Sequence, residues 1–152
     1  MRPLSKSKLL AFRQCPKRLW LEVRQPELRA DSGPTLASFA AGHQVGDIAR
    51  QLYDPQSLGA LIDPQAEGFD AAFAHTQHLL THSRQPIFEA GFRAGGALAF
   101  ADVLLPSDEG DQLGWRMVEV KSSTSVKDYH RDEAAIQACL VRESGIALTA
   151  IA

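Results

Sequence analysis

The chain has 152 residues, the length of one ordinary domain, and its 45% apolar and 22% charged residues match chains that fold around a single core. No apolar run approaches ~18 residues, and the opening MRPLSKSKLL has no apolar stretch followed by a small-residue cleavage site, so neither a membrane span nor a secretory signal is expected. The net charge of −2 hides an asymmetry: residues 1–24 carry seven basic side chains against the single acid Glu22, so the remainder is strongly acidic. A basic arm on an acidic body suits contact with a polyanion and a cation site in the body, although a solvated helix face has the same composition. Cys15 and Cys139 are too few for a disulfide framework, which points to a reducing, cytoplasmic setting.

The first predicted helix starts at a Ser5 cap and runs to about Gln14, with Leu9, Leu10 and Phe12 between basic residues. Pro16 breaks or restarts it, and KRLWLEV follows as a second apolar patch before the connector RQPELRADSGP. From Pro34 to about Tyr53 the apolar spacing becomes helical: Leu36, Phe39, Ala40, His43 and Asp47 share a face that Ile48 and Leu52 continue. DPQSLGALIDPQAEG reads as loop with a short strand at 60–62, and a further helix covers about Phe69 to Ser83.

Three short strands then follow, in PIFEAGFRAGG, ALAFADVLLP and GWRMVEVKSS, the last two joined by the polar loop SDEGDQLG. A helix from Asp128 or Asp132 to Glu143 stops at Gly145, and IALTAIA begins another strand. The core order helix, helix, three strands, helix, strand (ααβββαβ) predicts an α/β or α+β domain with a mixed sheet and flanking helices, its last strand returning by a helical crossover.

The residues that carry chemistry are Asp102, Glu119 and Lys121. In MVEVKSS, Glu119 and Lys121 are two apart and project from one strand face, Val118 and Val120 from the other. If the hairpin is symmetric about Gly110 and Asp111, Asp102 stands opposite Glu119, with Cβ atoms roughly 4.5–5.5 Å apart. Two carboxylates that close repel unless a hard divalent cation such as Mg²⁺ or Mn²⁺ neutralises them. A lysine beside such a site suits water activation and charge stabilisation at a phosphodiester. The same spacing also fits a surface hairpin bearing an ordinary Glu/Lys ladder.

These residues resemble the PD-(D/E)XK nuclease superfamily, in which an Asp on one strand and (D/E)-x-K on the next form a metal site. The ordered segments SKSKLLAFRQCPKRLWLE, GHQVGDIAR, IFEAGF, ADVLL, MVEVKSSTSVKDYH and DEAAIQ are similar to its RecB-like branch, which includes CRISPR-associated exonucleases and the amino-terminal domains of bacterial proteins of unknown function. The likeness runs from Leu4 to Ile151. It implies a restriction-endonuclease-like core over residues 1–152 and a Mg²⁺- or Mn²⁺-dependent deoxyribonuclease, exonuclease-like, in the bacterial cytoplasm. His43, Asp102, Glu119 and the Val120 carbonyl would hold the metal, Lys121 would be the catalytic lysine, and Gln137 would lie beside the site. His43 shares its predicted face with Leu36 and Phe39, and Asp47 one turn on is placed to accept its second ring proton; a lone inward histidine is more often just a satisfied core residue, and the resemblance is what favours a ligand. Glu89, in IFEAGF, is a further candidate for metal or water, with a structural role as the alternative.

Lys6, Lys8, Arg13, Lys17 and Arg18, with Phe12 and Trp20, would contact DNA, either single-stranded or at a duplex end. The chain departs from the family in two respects. Relatives with an iron–sulfur cluster use four cysteines, which two cannot supply, so Cys15 is expected to be a buried apolar residue. AIQACLV also lacks the tyrosine that commonly accompanies the glutamine. Because relatives continue past the last strand, a further carboxyl-terminal domain or a homodimer is expected. The rival reading is a catalytically weak or inactive nucleic-acid-binding module with a nuclease fold; a protein-interaction domain with a charged hairpin edge is a third.

Overall fold

A computed structural model describes residues 3–30, 33–108 and 113–152, with the side chains of residues 33–41 and 43 outside that description. The short strand β1 (Leu4–Ser5) leads straight into α1 (Lys6–Gln14). Ser5 is the N-cap residue of α1, but its hydroxyl pairs with Ser7 Oγ at 2.9 Å instead of capping a backbone amide. Cys15 is extended (φ −164°), and Pro16 occupies the first turn of α2 (Pro16–Arg24), where its missing N–H costs nothing. A 3₁₀ turn (Pro26–Leu28) and the long α3 (Gly33–Tyr53) follow.

The stretch expected to be mostly loop holds β2 (Ala60–Leu61) and α4 (Pro64–Glu67), a single turn that Asp63 caps by accepting hydrogen bonds from the Gln65 and Ala66 amides. Next come α5 (Phe69–His82), β3 (Ile87–Ala94), β4 (Ala97–Ser107), β5 (Gly114–Val118), α6 (Asp128–Glu143) and β6 (Leu148–Ile151). Gly95 and Gly96, both at positive φ, make the two-residue turn between β3 and β4.

Among the described residues six strands form one mixed sheet in the order β2-β3-β4-β5-β6, with β1 laid against β4. β3, β4 and β5 are antiparallel, whereas β2 runs parallel to β3 and β6 parallel to β5, the latter after the α6 crossover. The chain is therefore a mixed α/β domain with helices flanking its sheet, as the order of sequence patterns predicts. Along one side of β4, Ala97 and Leu98 pair with β1 while Val103 to Ser107 pair with β5. The intervening stretch contains Asp102.

Two apolar clusters separate the faces. Ile87, Ala90, Phe92, Leu104, Trp115 and Met117 pack against α5 and α6 through Ala72, Ala138, Leu140 and Val141. Phe88, Val103 and Val118 pack against Ala49 and Tyr53 of α3 on the other side. Strict alternation would put Phe88, Ala90 and Phe92 on one face. It slips at Glu89, whose φ is +55°, a conformation that costs a non-glycine residue on the order of 1–3 kcal/mol. The slip lets Phe88 and Glu89 both line the α3 side, together with Asp102 and Val103 of β4.

Several expectations are corrected. The third strand, anticipated over 114–123, ends at Val118, so Glu119 and Lys121 lie just beyond it. Ile48 and Leu52 are 61% and 69% exposed, because the inward stripe of α3 runs through Ala49 and Tyr53 instead. Cys15 is exposed at the α1–α2 corner rather than buried, and Cys139 is exposed too. Among the described residues no helix is long and apolar enough to cross a membrane.

Gly91 is the tightest point between α5 and the sheet. A Cβ there would sit 2.7 Å from Phe100 Cε1 and 2.9 Å from Phe73 Cδ1, two rings stacked at 5.6 Å between centroids. Its amide donates to Thr76 Oγ1 at 2.9 Å, which ties β3 to α5. Gly91→Ala is expected to lower stability by about 1–3 kcal/mol through overpacking, read as a lower urea midpoint; an unchanged midpoint would mean the rings yield freely.

Candidate functional site

The sheet register brings three carboxylates side by side. Every β4–β5 pair from Val103↔Val118 to Ser107↔Gly114 follows the register of a hairpin symmetric about residues 110 and 111, although that turn lies outside the described residues. Continuing it one step puts Glu119 opposite Asp102. On the other side, the β3–β4 pairs Phe88↔Val103 and Ala90↔Ala101 bracket Glu89 and Asp102. Asp102 therefore stands between Glu89 and Glu119 in the middle of the sheet.

Asp102 is held by its backbone neighbour: Val120 donates its amide hydrogen to Asp102 Oδ2 at 2.7 Å. The Glu119 side chain is only 4% exposed, and its Oε1 is shared by Lys6 Nζ at 3.2 Å and Lys121 Nζ at 2.6 Å. Its other oxygen, Oε2, is buried without a hydrogen-bond partner among the described residues. Lys121 is also ion-paired to Glu133 of α6. The cluster thus gathers four carboxyl groups (Glu89, Asp102, Glu119, Glu133) around two lysines, with Arg50 at the edge of the cleft beside Glu89, so carboxyl groups outnumber cations.

The titration behaviour follows from that imbalance. Burial, and then the Asp102 charge, push Glu89 up from its ordinary 4.5 to about 7. Burial and Glu119 push Asp102 up from 3.8 to about 6. Burial also works to raise Glu119, but Lys6 and Lys121 outweigh it and hold Glu119 below its ordinary value. Lys121, despite burial, is held above the usual lysine range by Glu119 and Glu133. It is therefore a fixed cation at neutral pH.

Two clefts meet at Lys121. One, of about 190 Å³, lies between Glu89, Asp102 and Val120 on one side and Gly42, Gly46 and Ala49 of α3 on the other. Nothing lies within 4 Å of where a Cβ would stand on either glycine, so the helix leaves open space facing the carboxylates. The other, of about 730 Å³, is bounded by Glu119, residues 123–126, α6 and the end of β6.

The structure thus gathers Glu89, Asp102, Glu119, Val120 and Lys121, and adds Lys6 and Glu133. Lys6, predicted to contact DNA, is half-buried in the site instead because β1 delivers it beside Glu119. Glu133 was not anticipated; the available signal was its position one helical turn before Gln137. Gln137 is buried; its Nε2 donates to the Phe100 carbonyl at 3.1 Å, on β4 two residues before Asp102, while its Oε1 has no hydrogen-bond partner among the described residues. The His43 side chain lies outside the described residues. Asp47, placed in the sequence reading beside His43, pairs with Arg50. Among the basic residues, Arg13 is clamped by Asp132 at 3.0 Å and Arg18 by Glu22 at 2.8 Å, so part of the arm's charge is neutralised within the chain. Lys8 and Lys17 make no ion pair among the described residues, and Phe12 and Trp20 are exposed.

Among the described residues no three His, Cys, Asp or Glu side chains converge on a common ligating position. No family model, curated protein or solved structure matches this chain.

Glu89 and Asp102 bind their protons more tightly folded than unfolded, so their contribution to stability is full below about pH 4 and is lost as pH rises through about 6 to 7. Glu119 has the opposite sign, contributing above its ordinary 4.5 and losing that contribution at lower pH. In EDTA, urea midpoints are expected to fall between pH 5 and 8. Glu89→Gln should flatten the fall and gain about 1–3 kcal/mol at pH 8. A variant with the wild-type slope would show that Glu89 ionises normally.

Proposed function

We propose that this chain is a metal-dependent nuclease of the PD-(D/E)XK type that hydrolyses phosphodiester bonds of DNA. The observation that carries the reading is the row of carboxyl groups at Glu89, Asp102, Glu119 and Glu133 that outnumbers the cations near it, in a cluster with a buried, unpartnered Glu119 oxygen. A hard divalent cation matches the surplus of carboxyl groups and their oxygen donors. Asp102 and Glu119 would hold it, with the Val120 carbonyl and His43 added on the strength of the resemblance. Bound there, Mg²⁺ or Mn²⁺ would polarise the phosphodiester and acidify a water.

The chain's own groups account for the rest. Lys121, locked as a cation by Glu119 and Glu133, suits stabilisation of charge developing on phosphorus rather than proton abstraction. Glu89, with its proton affinity raised toward neutrality and its strained backbone aiming it into the α3 cleft, suits proton transfer. Phe12 and Trp20, with Lys8 and Lys17 beside them, offer stacking faces and phosphate contacts. Two exposed, unpaired cysteines suit a reducing bacterial cytoplasm.

The double engagement of Glu119 by lysines favours one rival, a DNA-binding module that keeps this architecture without efficient chemistry. Incubation with linear single- and double-stranded DNA in Mg²⁺, Mn²⁺ or EDTA separates the two. The nuclease predicts metal-dependent cleavage that is abolished by Glu119→Ala and reduced about 10²–10³-fold by Lys121→Ala, with DNA binding in EDTA preserved. A folded protein that binds DNA in a salt-sensitive way and cleaves nothing is the rival; equal cleavage by Lys121→Ala and wild type would remove Lys121 from the chemistry.

A further inference from the structure

Three of the five histidines lie on one stripe of α5: His75, His78 and His82 stand at i, i+3 and i+7, spacings that stack side chains along a single helix face. One of them has its tautomer set by an oxygen. His75 Nδ1 lies 3.0 Å from Glu67 Oε2, and a carboxylate can only accept, so in the neutral ring Nδ1 carries the proton and Nε2 the lone pair. His82 Nδ1 is held between the His78 carbonyl oxygen at 3.0 Å and the Thr81 hydroxyl at 2.7 Å, which directs its Nε2 outward. Anchoring Nδ1–H on a carboxylate or carbonyl is how proteins orient imidazoles that ligate metals through Nε2.

His78 completes the arrangement. Its ring stacks on that of His82 at 4.4 Å between centroids, and it makes no ring hydrogen bond among the described residues. Both rings are exposed, so a rotamer change at His78 meets little resistance.

We propose that His78 and His82 chelate one transition-metal ion of the imidazole-preferring kind (Zn²⁺, Ni²⁺ or Cu²⁺) on the outer face of α5, with water filling the remaining positions. Nitrogen donors select these ions over Mg²⁺ and Mn²⁺, which sets the site chemically apart from the oxygen-lined carboxylate cleft. The rings are stacked rather than converged on a point, so the ion itself draws His78 into line. A bound ion would staple the last turns of a helix that is tied to β3 through Thr76 and Gly91. This site is independent of the nuclease reading, and either stands if the other fails.

The test is a calorimetric titration of Ni²⁺ into the whole, untagged chain, repeated in Asp102→Asn to remove the carboxylate site from the count. One Ni²⁺ per chain is expected in both proteins. His78→Ala and His82→Ala should each weaken it about tenfold or more, while circular dichroism shows the fold intact, since alanine on an exposed helix face favours the helix. Mg²⁺ titrations should be indifferent to both histidine variants. Ni²⁺ affinity unchanged in the two histidine variants, or Ni²⁺ binding lost with Asp102→Asn, overturns the proposal.

Discussion

Unbalanced negative charge in the middle of the sheet is the constraint around which the other features of this domain are arranged. Glu89, Asp102 and Glu119 are cross-strand neighbours, and a like-charged row at half-buried positions is unfavourable unless something answers it. Within the chain the answer is partial. β1 hands Lys6 to Glu119, the chain just after β5 supplies Lys121, and α6 supplies Glu133 to hold Lys121. The residual charge appears as protons retained by Glu89 and Asp102.

The fold keeps that row from being solvated or collapsed. Apolar clusters cover both faces of the sheet, and the carboxylates border two clefts, one where α3 presents glycines to Glu89 and Asp102 and one between Glu119, α6 and the end of β6. The slip at Glu89 belongs to the same arrangement. Ile87, Ala90 and Phe92 face α5 and α6 while Phe88 and Glu89 both face α3, and the positive φ of Glu89 marks the point where the alternation changes. Backbone strain of this kind persists where the surroundings over-determine it, here by Phe88 and Val103 packing under α3 on one side and Ala90 and Phe92 under α5 and α6 on the other.

The amino-terminal arm has two roles that composition cannot separate. Lys6 belongs to the site through Glu119, and Arg13 binds Asp132, so one basic helix is stitched to the chain just after β5 at its start and to α6 near its end. The face left over, with Phe12, Trp20, Lys8 and Lys17, is the part available to a partner. Counting seven basic residues in residues 1–24 therefore overstates the positive surface.

Periodicity and punctuation in the sequence were enough for the mixed α/β class, the α6 crossover and the β4–β5 register, because each depends on residues close along the chain: Pro16 at a helix start, Gly95 and Gly96 at a turn, a polar loop centred between two apolar strands. The same local rules placed Asp102 opposite Glu119. They misjudged the inward face of α3, where Ile48 and Leu52 have the right spacing but the sheet meets Ala49 and Tyr53. They also missed the slip at Glu89, since nothing in IFEAGF departs from ordinary strand alternation. The lysine and glutamate partners were beyond reach for a different reason. Lys6 meets Glu119 across 113 positions of sequence, and Lys121 finds Glu133 only after the chain leaves β5 and re-enters as α6. Period and turn chemistry act between near neighbours and are written in the sequence; charge pairing acts through space, and only the packed structure decides which distant side chains share it.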